Sequence, residues 1–363
     1  MNESWARRVW ERKGISGCLL WALVLPLSFL YTLAVRIRNL LYSLEWMPTK
    51  SLPSKVVSVG NLTVGGTGKT PTILWLAQEL GSRGYRVAIL SRGYKRIGRE
   101  PVLLEPGFKK PDPFEQERDS LDAGDEPAML ARVFRQRVGV GRKRIEVGTR
   151  LLQNTEVDVF LLDDGFQHRQ LRRDLDLLLL GSDWNGWLIP AGPFREPRNA
   201  LGRADLYLVS GARERWESFL TPRSKQAIFF GSLQAKSLVG LEGDQWKEWP
   251  LGLLDRSKIL TVSAIANPTS FYRMIHDWEG EIVDNIEFPD HHFYSAKDWQ
   301  RINRAARNVD LIVTTEKDIL KLVRFPFAKE KLLALRVEMV VENGSALVQA
   351  IEDVIQNRQR QRQ

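Results

Sequence analysis

Apolar positions are concentrated unevenly along this chain. Residues 14–35 carry no charged side chain, and within them the run Cys18-Leu19-Leu20-Trp21-Ala22-Leu23-Val24-Leu25-Pro26-Leu27 is almost entirely apolar. A helix over this stretch reaches about 30 Å, the thickness of a bilayer core. Beyond it come short apolar runs of strand length: Val56-Val57-Ser58-Val59, Val87-Ala88-Ile89-Leu90, Val157-Asp158-Val159-Phe160-Leu161-Leu162, Leu175-Asp176-Leu177-Leu178-Leu179-Leu180 and Asp205-Leu206-Tyr207-Leu208-Val209. Continuous apolar strands separated by helix-length segments predict a parallel sheet covered on both faces, and so an α/β fold. A second group, Ile259-Leu260-Thr261-Val262 and Leu311-Ile312-Val313-Thr314, repeats the style beyond Trp246 and Trp249. The pattern predicts a hydrophobic helix within residues 1–45, a parallel-sheet domain over 46–245, a smaller C-terminal α/β domain over 246–355 and a polar, frayed tail at 356–363.

Length and charge narrow this picture. The 363 residues suffice for about two domains with real cores, which excludes disorder for most of the chain. A lone cysteine, Cys18, excludes an internal disulfide and a thiolate metal cluster. The net charge of +9 is partly local: residues 1–50 hold seven Lys and Arg against three Glu, a net of +4. These charges flank the apolar run on both sides (Arg7, Arg8, Arg12 and Lys13 before; Arg36 and Arg38 after). The positive-inside rule therefore leaves open whether the helix spans a bilayer or lies in its interface. Thr32-Leu33-Ala34-Val35-Arg36 is a poor small-residue cleavage site, which disfavours a removed signal peptide. The basic excess points to attachment to anionic lipid rather than to nucleic acid.

The first strand runs into Gly60-Asn61-Leu62-Thr63-Val64-Gly65-Gly66-Thr67-Gly68-Lys69-Thr70, followed by Pro71 and a helical stretch. A strand, a glycine-rich turn and a Lys-Thr pair opening a helix form a P-loop: backbone N–H groups wrap phosphates, and the helix N-terminus points its positive end at them. The expected nucleotide-binding residues are Thr63, Val64, Gly65, Gly66, Thr67, Gly68, Lys69 and Thr70. Lys69 would reach the β and γ phosphates of ATP, and Thr70 would offer its hydroxyl to Mg²⁺. The strict pattern asks for glycine where this chain has Thr63, so Gly65 and Gly66 must supply the flexibility.

Phe160-Leu161-Leu162-Asp163-Asp164-Gly165 ends an apolar strand in two carboxylates, as a Walker B strand does. A carboxylate at the C-terminal edge of a parallel sheet faces the ligand crevice, which makes Asp163 and Asp164 the candidate partners of Thr70 in holding Mg²⁺. Sequence does not say which of the two acts directly.

Phosphoryl transfer also needs a group that deprotonates the acceptor. Gly124-Asp125-Glu126-Pro127 puts two carboxylates at a helix start, where, taken alone, they read as capping residues before they read as a base. Phe288-Pro289-Asp290-His291-His292-Phe293 sets a histidine beside an aspartate in a Pro-marked loop, an arrangement that tunes a base near neutral pH or simply fixes a structural histidine. His168 is a further candidate. Spacing alone does not bring Asp125 and His291 together.

Taken in order, the motif around Lys69, Ser91-Arg92-Gly93-Tyr94, Gly124-Asp125-Glu126-Pro127, Asp163-Asp164-Gly165-Phe166-Gln167-His168, Gly192-Pro193-Phe194-Arg195-Glu196-Pro197, Phe288-Pro289-Asp290-His291-His292 and Thr314-Thr315-Glu316-Lys317-Asp318 resemble the ordered signatures of the lipid A 4′-kinases, or tetraacyldisaccharide 4′-kinases. The resemblance spans nearly the whole chain. It implies a P-loop α/β domain with a smaller C-terminal α/β domain. It also implies ATP- and Mg²⁺-dependent transfer of the γ-phosphoryl group to the 4′-hydroxyl of a tetraacylated disaccharide 1-phosphate, at the cytoplasmic face of the bacterial inner membrane. It further implies that Asp125 acts as base, assisted by His291, with Lys69 on the phosphates. Two other classes share parts of the pattern: a membrane-associated ATPase switch of the cell-division or partitioning type, and a non-catalytic nucleotide-binding regulator. The switch class expects a lysine where this chain has Val64.

Overall fold

In a computed structural model, the described residues are 9–94, 96, 98, 100–106, 122–132, 134–242, 245–265, 268–290, 292–327 and 331–357. His291, Arg7, Arg8 and tail residues 358–363, all singled out above, lie outside them. In chain order the elements are α1 (Gly14–Ser43), β1 (Lys55–Asn61), α2 (Lys69–Ser82), β2 (Val87–Ser91), β3 (Val102–Leu104), α3 (Asp125–Arg132), β4 (Val138–Val140), α4 (Arg144–Asn154), β5 (Val159–Asp163) and β6 (Leu175–Leu180). They continue with β7 (Leu206–Val209), α5 (Arg213–Leu220), β8 (Ala227–Glu242), β9 (Gln245–Trp249), β10 (Lys258–Ser263), α6 (Thr269–His276), β11 (Glu281–Glu287), α7 (Ala296–Ala305), β12 (Leu311–Thr315), α8 (Glu316–Leu322), β13 (Leu332–Val341) and α9 (Gly344–Asn357).

The chain divides into two compact units, and neither is continuous in sequence. The first comprises Met1–Arg92, Lys143–Ser232 and Met339–Gln363; the second comprises Gly93–Arg142 and Leu233–Glu338.

In the first unit, β1 is the central strand. It pairs in parallel with β5 on one side and β6 on the other; β2 extends the sheet beyond β5, while β7 and β8 extend it beyond β6, all parallel. Every residue of β5, β6 and β7 is buried, as expected where helices cover both faces of a parallel sheet. The register sets Val59 opposite Asp163, so the end of the Walker B strand lies beside the strand that opens into the phosphate loop.

Helix α1 belongs to this unit and is amphipathic in an unusual sense. Its buried positions, Gly17, Ser28, Val35 and Tyr42, fall on one face, while the opposite face exposes Ile15, Leu19, Leu23, Leu30, Leu33, Ile37 and Leu40. Its 30 residues correspond to about 45 Å, and by length and apolarity it could cross a membrane. A soluble helix turns its apolar stripe inward; here the apolar stripe faces out and the inward face carries hydrogen-bonding side chains.

In the second unit, β11, β10, β12 and β13 run parallel in that order, with β9 antiparallel to β8 and β3 antiparallel to β4. Its core gathers Leu260, Val262, Ile286, Ile302, Ile312 and Ile319. Helix α7 starts with a capping box between Ser295 and Asp298, and α8 is capped by the Thr315 side chain.

Candidate active site

The phosphate loop sits between the C-terminal end of β1 and the N-terminus of α2. Gly68 caps α2 in the left-handed region at φ 83°, a conformation that disfavours any side chain, and Gly65 lies at φ 118°. Thr72 closes the first turn by donating its N–H (3.0 Å) and hydroxyl (2.8 Å) to the Gly68 carbonyl. Pro71 falls in that first turn, where a missing N–H costs no intrahelical bond. The helix therefore opens its positive end directly behind Lys69 and Thr70, as an anion site requires.

The start of the loop is held by pairing rather than left open. Thr63 is buried and bridges Phe194, and the Val64 N–H donates to the Pro193 carbonyl at 2.8 Å. Asn61 steadies the other side by donating to the Thr67 hydroxyl at 2.8 Å, while the Ser210 hydroxyl donates to the Thr67 carbonyl at 3.2 Å. Gly65, Gly66, Thr67, Gly68, Lys69 and Thr70 complete the loop up to the start of α2.

Asp163 ends β5, Asp164 follows it, and the two have different surroundings. Asp163 is buried, with the Ser91 hydroxyl donating to its Oδ2 at 2.9 Å from the end of β2. Asp164 takes a left-handed backbone, φ 51°, an uncommon conformation that aspartate tolerates better than most residues. Arg195 grips it in a two-pronged bond (2.7 and 2.8 Å), and Lys69 Nζ lies 3.6 Å from its Oδ1. Burial alone would push the Asp164 carboxyl up, but the Arg195 fork, with the charges of Lys69 and Arg144, outweighs it and holds the group well below the usual carboxylate range. The same guanidinium also bonds the Asn61 side chain, which links loop and Walker B strand.

The oxygens of Thr70, Asp163 and Asp164 fit Mg²⁺. That cation takes oxygen ligands, keeps several waters and needs only one or two carboxylates beside substrate phosphates. Among the described residues, no set of three or more His, Cys, Asp or Glu side chains gathers as a metal cage.

Arg144, at the start of α4, lies within electrostatic reach of these carboxylates, and His168 lies within reach of Arg144. Burial pulls Arg144 down to about 10, partly offset by Asp163 and Asp164, so it stays charged at neutral pH. His168 is pushed down to about 4 by burial and then by Arg144, Arg173 and Arg92. A histidine neutral at pH 7 with so low a pKa makes a weak base there, which argues against His168 in that role.

The second unit holds the other carboxylates. Asp125, at the N-terminus of α3, is buried and pairs with Lys321 of α8 at 2.8 Å. Lys321 is itself buried, reaches Asp318 at 3.7 Å and donates to the His292 carbonyl at 3.2 Å. One turn earlier, Lys317 pairs with Glu126. Burial would lower the Lys317 ammonium, but the Glu126 charge and hydrogen bond prevail and raise it. Asp318 accepts from the Ala264 N–H (2.9 Å) and the Thr315 hydroxyl (2.7 Å), which fixes the start of α8 against β10. His292 stacks on Phe288 at 4.6 Å and sits 3.1 Å from Asp298 Oδ2, as a structural histidine does.

Lys321 is the partner of Asp125 that sequence reasoning missed. The spacing Lys317-Asp318-x-x-Lys321 puts two lysines four apart on one helix face. Only the fold shows that this face meets Asp125 and Glu126.

The profile of the tetraacyldisaccharide-1-P 4′-kinase (LpxK) family matches residues 20–356. A tetraacyldisaccharide 4′-kinase of Syntrophus aciditrophicus is 38% identical, over 93% of this chain and 94% of its own. That of Dechloromonas aromatica is 34% identical over 99% of both. A crystal structure of LpxK from Aquifex aeolicus, described as the apo form in complex with ATP, superposes with a TM-score of 0.75 at 30% identity, covering 93% of this chain and 99% of that one. With the family profile matched over residues 20–356 and relatives 34% and 38% identical along nearly the whole chain, the chain belongs to the tetraacyldisaccharide-1-P 4′-kinase family.

Proposed function

We propose that this protein transfers the γ-phosphoryl group of ATP to the 4′-hydroxyl of tetraacyldisaccharide 1-phosphate, a step of lipid A synthesis, at the cytoplasmic face of the bacterial inner membrane. The observation that carries the reading is Lys69 beside Asp164 at the N-terminus of α2, with Arg195 locking that carboxylate. Lys69 and the loop N–H groups orient the β and γ phosphates. Thr70, Asp163 and Asp164 would hold Mg²⁺, which would supply neutralisation of the phosphate charge when bound. Asp125 is the base: it takes the proton of the 4′-hydroxyl as that oxygen bonds to the γ phosphorus. The bond from γ phosphorus to the bridging oxygen breaks, and its electron pair leaves with ADP. His291 assists Asp125. The outward apolar stripe of α1 and its basic flanks keep the enzyme at the lipid surface where an acylated acceptor resides.

The test is direct. Purified protein with ATP, Mg²⁺ and the disaccharide in detergent yields a lipid heavier by one phosphoryl group by mass spectrometry. ATP hydrolysis with no phosphorylated lipid would instead indicate an ATPase switch.

A further inference from the structure

Helix α1 does more than its outward face requires. Four side chains on its inward side and just before it donate to main-chain carbonyls of a single segment: Trp10 to Pro190 (3.0 Å), Trp21 to Ala191 (3.1 Å), Ser28 to Leu188 (2.7 Å) and Tyr31 to Arg195 (3.1 Å). Holding a lipid surface needs only the apolar stripe; four polar donors on the other side serve the protein body. The segment they hold is pinned from its far side to the phosphate loop, through the Val64 N–H to Pro193, the bridge between Thr63 and Phe194, and the Arg195 N–H to the Leu62 carbonyl at 2.7 Å. Residues 188–195 are thus a strap between the apolar helix and the nucleotide loop.

The strap ends in Arg195, whose guanidinium grips Asp164. A two-pronged bond demands correct placement of the whole fork, and an arginine whose backbone drifts loses one prong first. The next residue is fixed as firmly: the Glu196 carboxylate is 1% exposed and is held by Asn39 at 2.6 Å and Arg38 at 3.4 Å from α1, and by Arg203 at 2.9 Å. Arg195 at the end of the strap and Glu196 just beyond it are therefore both held by side chains of α1.

We infer that Tyr31 is a positioning residue for the phosphoryl transfer: through the Arg195 carbonyl, the seating of the apolar helix sets the placement of the guanidinium that holds Asp164 beside Lys69. The inference rests on the kinase reading of this site. It makes the lipid-facing helix a determinant of turnover and not of attachment alone.

The test is Tyr31→Phe, which removes one hydroxyl and leaves the ring. In the detergent kinase assay, turnover falls roughly three- to tenfold, the range expected for one hydrogen bond, while KM for the lipid and co-sedimentation with anionic vesicles stay at wild-type values. In an Arg195→Lys background, which keeps the charge and loses the fork, Tyr31→Phe causes no further loss. Unchanged turnover in Tyr31→Phe, a change confined to lipid KM or vesicle binding, or full additivity with Arg195→Lys would each overturn the inference. Wild-type protein is assayed first; absence of lipid product there defeats the kinase reading itself, whereas active wild type with an unaffected variant defeats only the role of Tyr31.

Discussion

Lys321 Nζ lies 2.8 Å from Asp125 Oδ2, and both side chains are more than nine-tenths buried. Burying two charges is repaid only while both are present. Removing one leaves the other without its partner in a site of low polarizability, at a cost of about 3–5 kcal/mol. Lys321→Met is therefore expected to lower the urea midpoint strongly, because Asp125 and Asp318 both lose their ammonium. Adding Asp125→Asn to Lys321→Met restores part of that stability, since an amide needs no counter-charge. Two additive losses in the denaturation curves would show that the pair is not coupled.

Lys69 and Asp125 carry different parts of the reaction, so their losses differ in kind. Lys69→Ala removes the charge at the N-terminus of α2 and is expected to lower turnover by orders of magnitude and to weaken ATP binding, with the circular dichroism spectrum unchanged. Asp125→Ala also leaves Lys321 without its partner, so it is assayed under conditions where circular dichroism shows the fold retained; there turnover is expected to fall by orders of magnitude with ATP affinity near wild type, because general-base catalysis contributes typically 10²–10⁴-fold. Steady-state kinetics with an independent nucleotide-binding measurement separate the two. Near-wild-type turnover in Asp125→Ala would remove it as the base.

The outward stripe of α1 makes a third expectation. Leu23 and Leu30 are 73% and 64% exposed, so neither contributes much to packing within the protein. Replacing both with Asp forfeits about 1.5–3 kcal/mol of burial per side chain at a lipid surface and adds charge that anionic lipid repels. Co-sedimentation with anionic vesicles is expected to fall at least tenfold with an unchanged melting temperature. Vesicle binding at the wild-type level would mean that the stripe does not meet lipid.

The parallel sheet was legible because β5, β6 and β7 are almost wholly apolar, broken only by Asp163 and Asp176, as strands buried on both faces are. The phosphate loop was legible because its glycines and Lys69-Thr70 are neighbours in sequence. What spacing could not show are relationships across long separations. Thr63 was expected among the loop's binding residues, and its bridge to Phe194, 131 positions away, appears only in the fold. Arg195 belonged to a recognisable block without a role until its fork was seen on Asp164. Nor does composition reveal that Gly93–Arg142 joins the second unit while Met339–Gln363 returns to the first. Such interleaving is decided by which apolar faces meet, and local periodicity carries no record of it.

Glu316, in the block after β12, gives stability a pH dependence of unusual sign. Burial pushes its carboxyl up to about 7, despite the opposing pull of Arg336 at 3.1 Å. In the unfolded chain it titrates near the ordinary value of about 4.3. Between those values the folded protein binds a proton that the unfolded chain does not, so the contribution is fully present below about pH 4 and is lost as pH rises through 7. The slope cannot exceed about 1.4 kcal/mol per pH unit for one group. Glu316→Gln cannot ionise, and is expected to flatten the stability profile between pH 5 and 7.5 relative to wild type. Urea denaturation at several pH values checks this. Parallel profiles for the two proteins would mean that Arg336 keeps Glu316 ionised throughout, and that the ion pair outweighs burial.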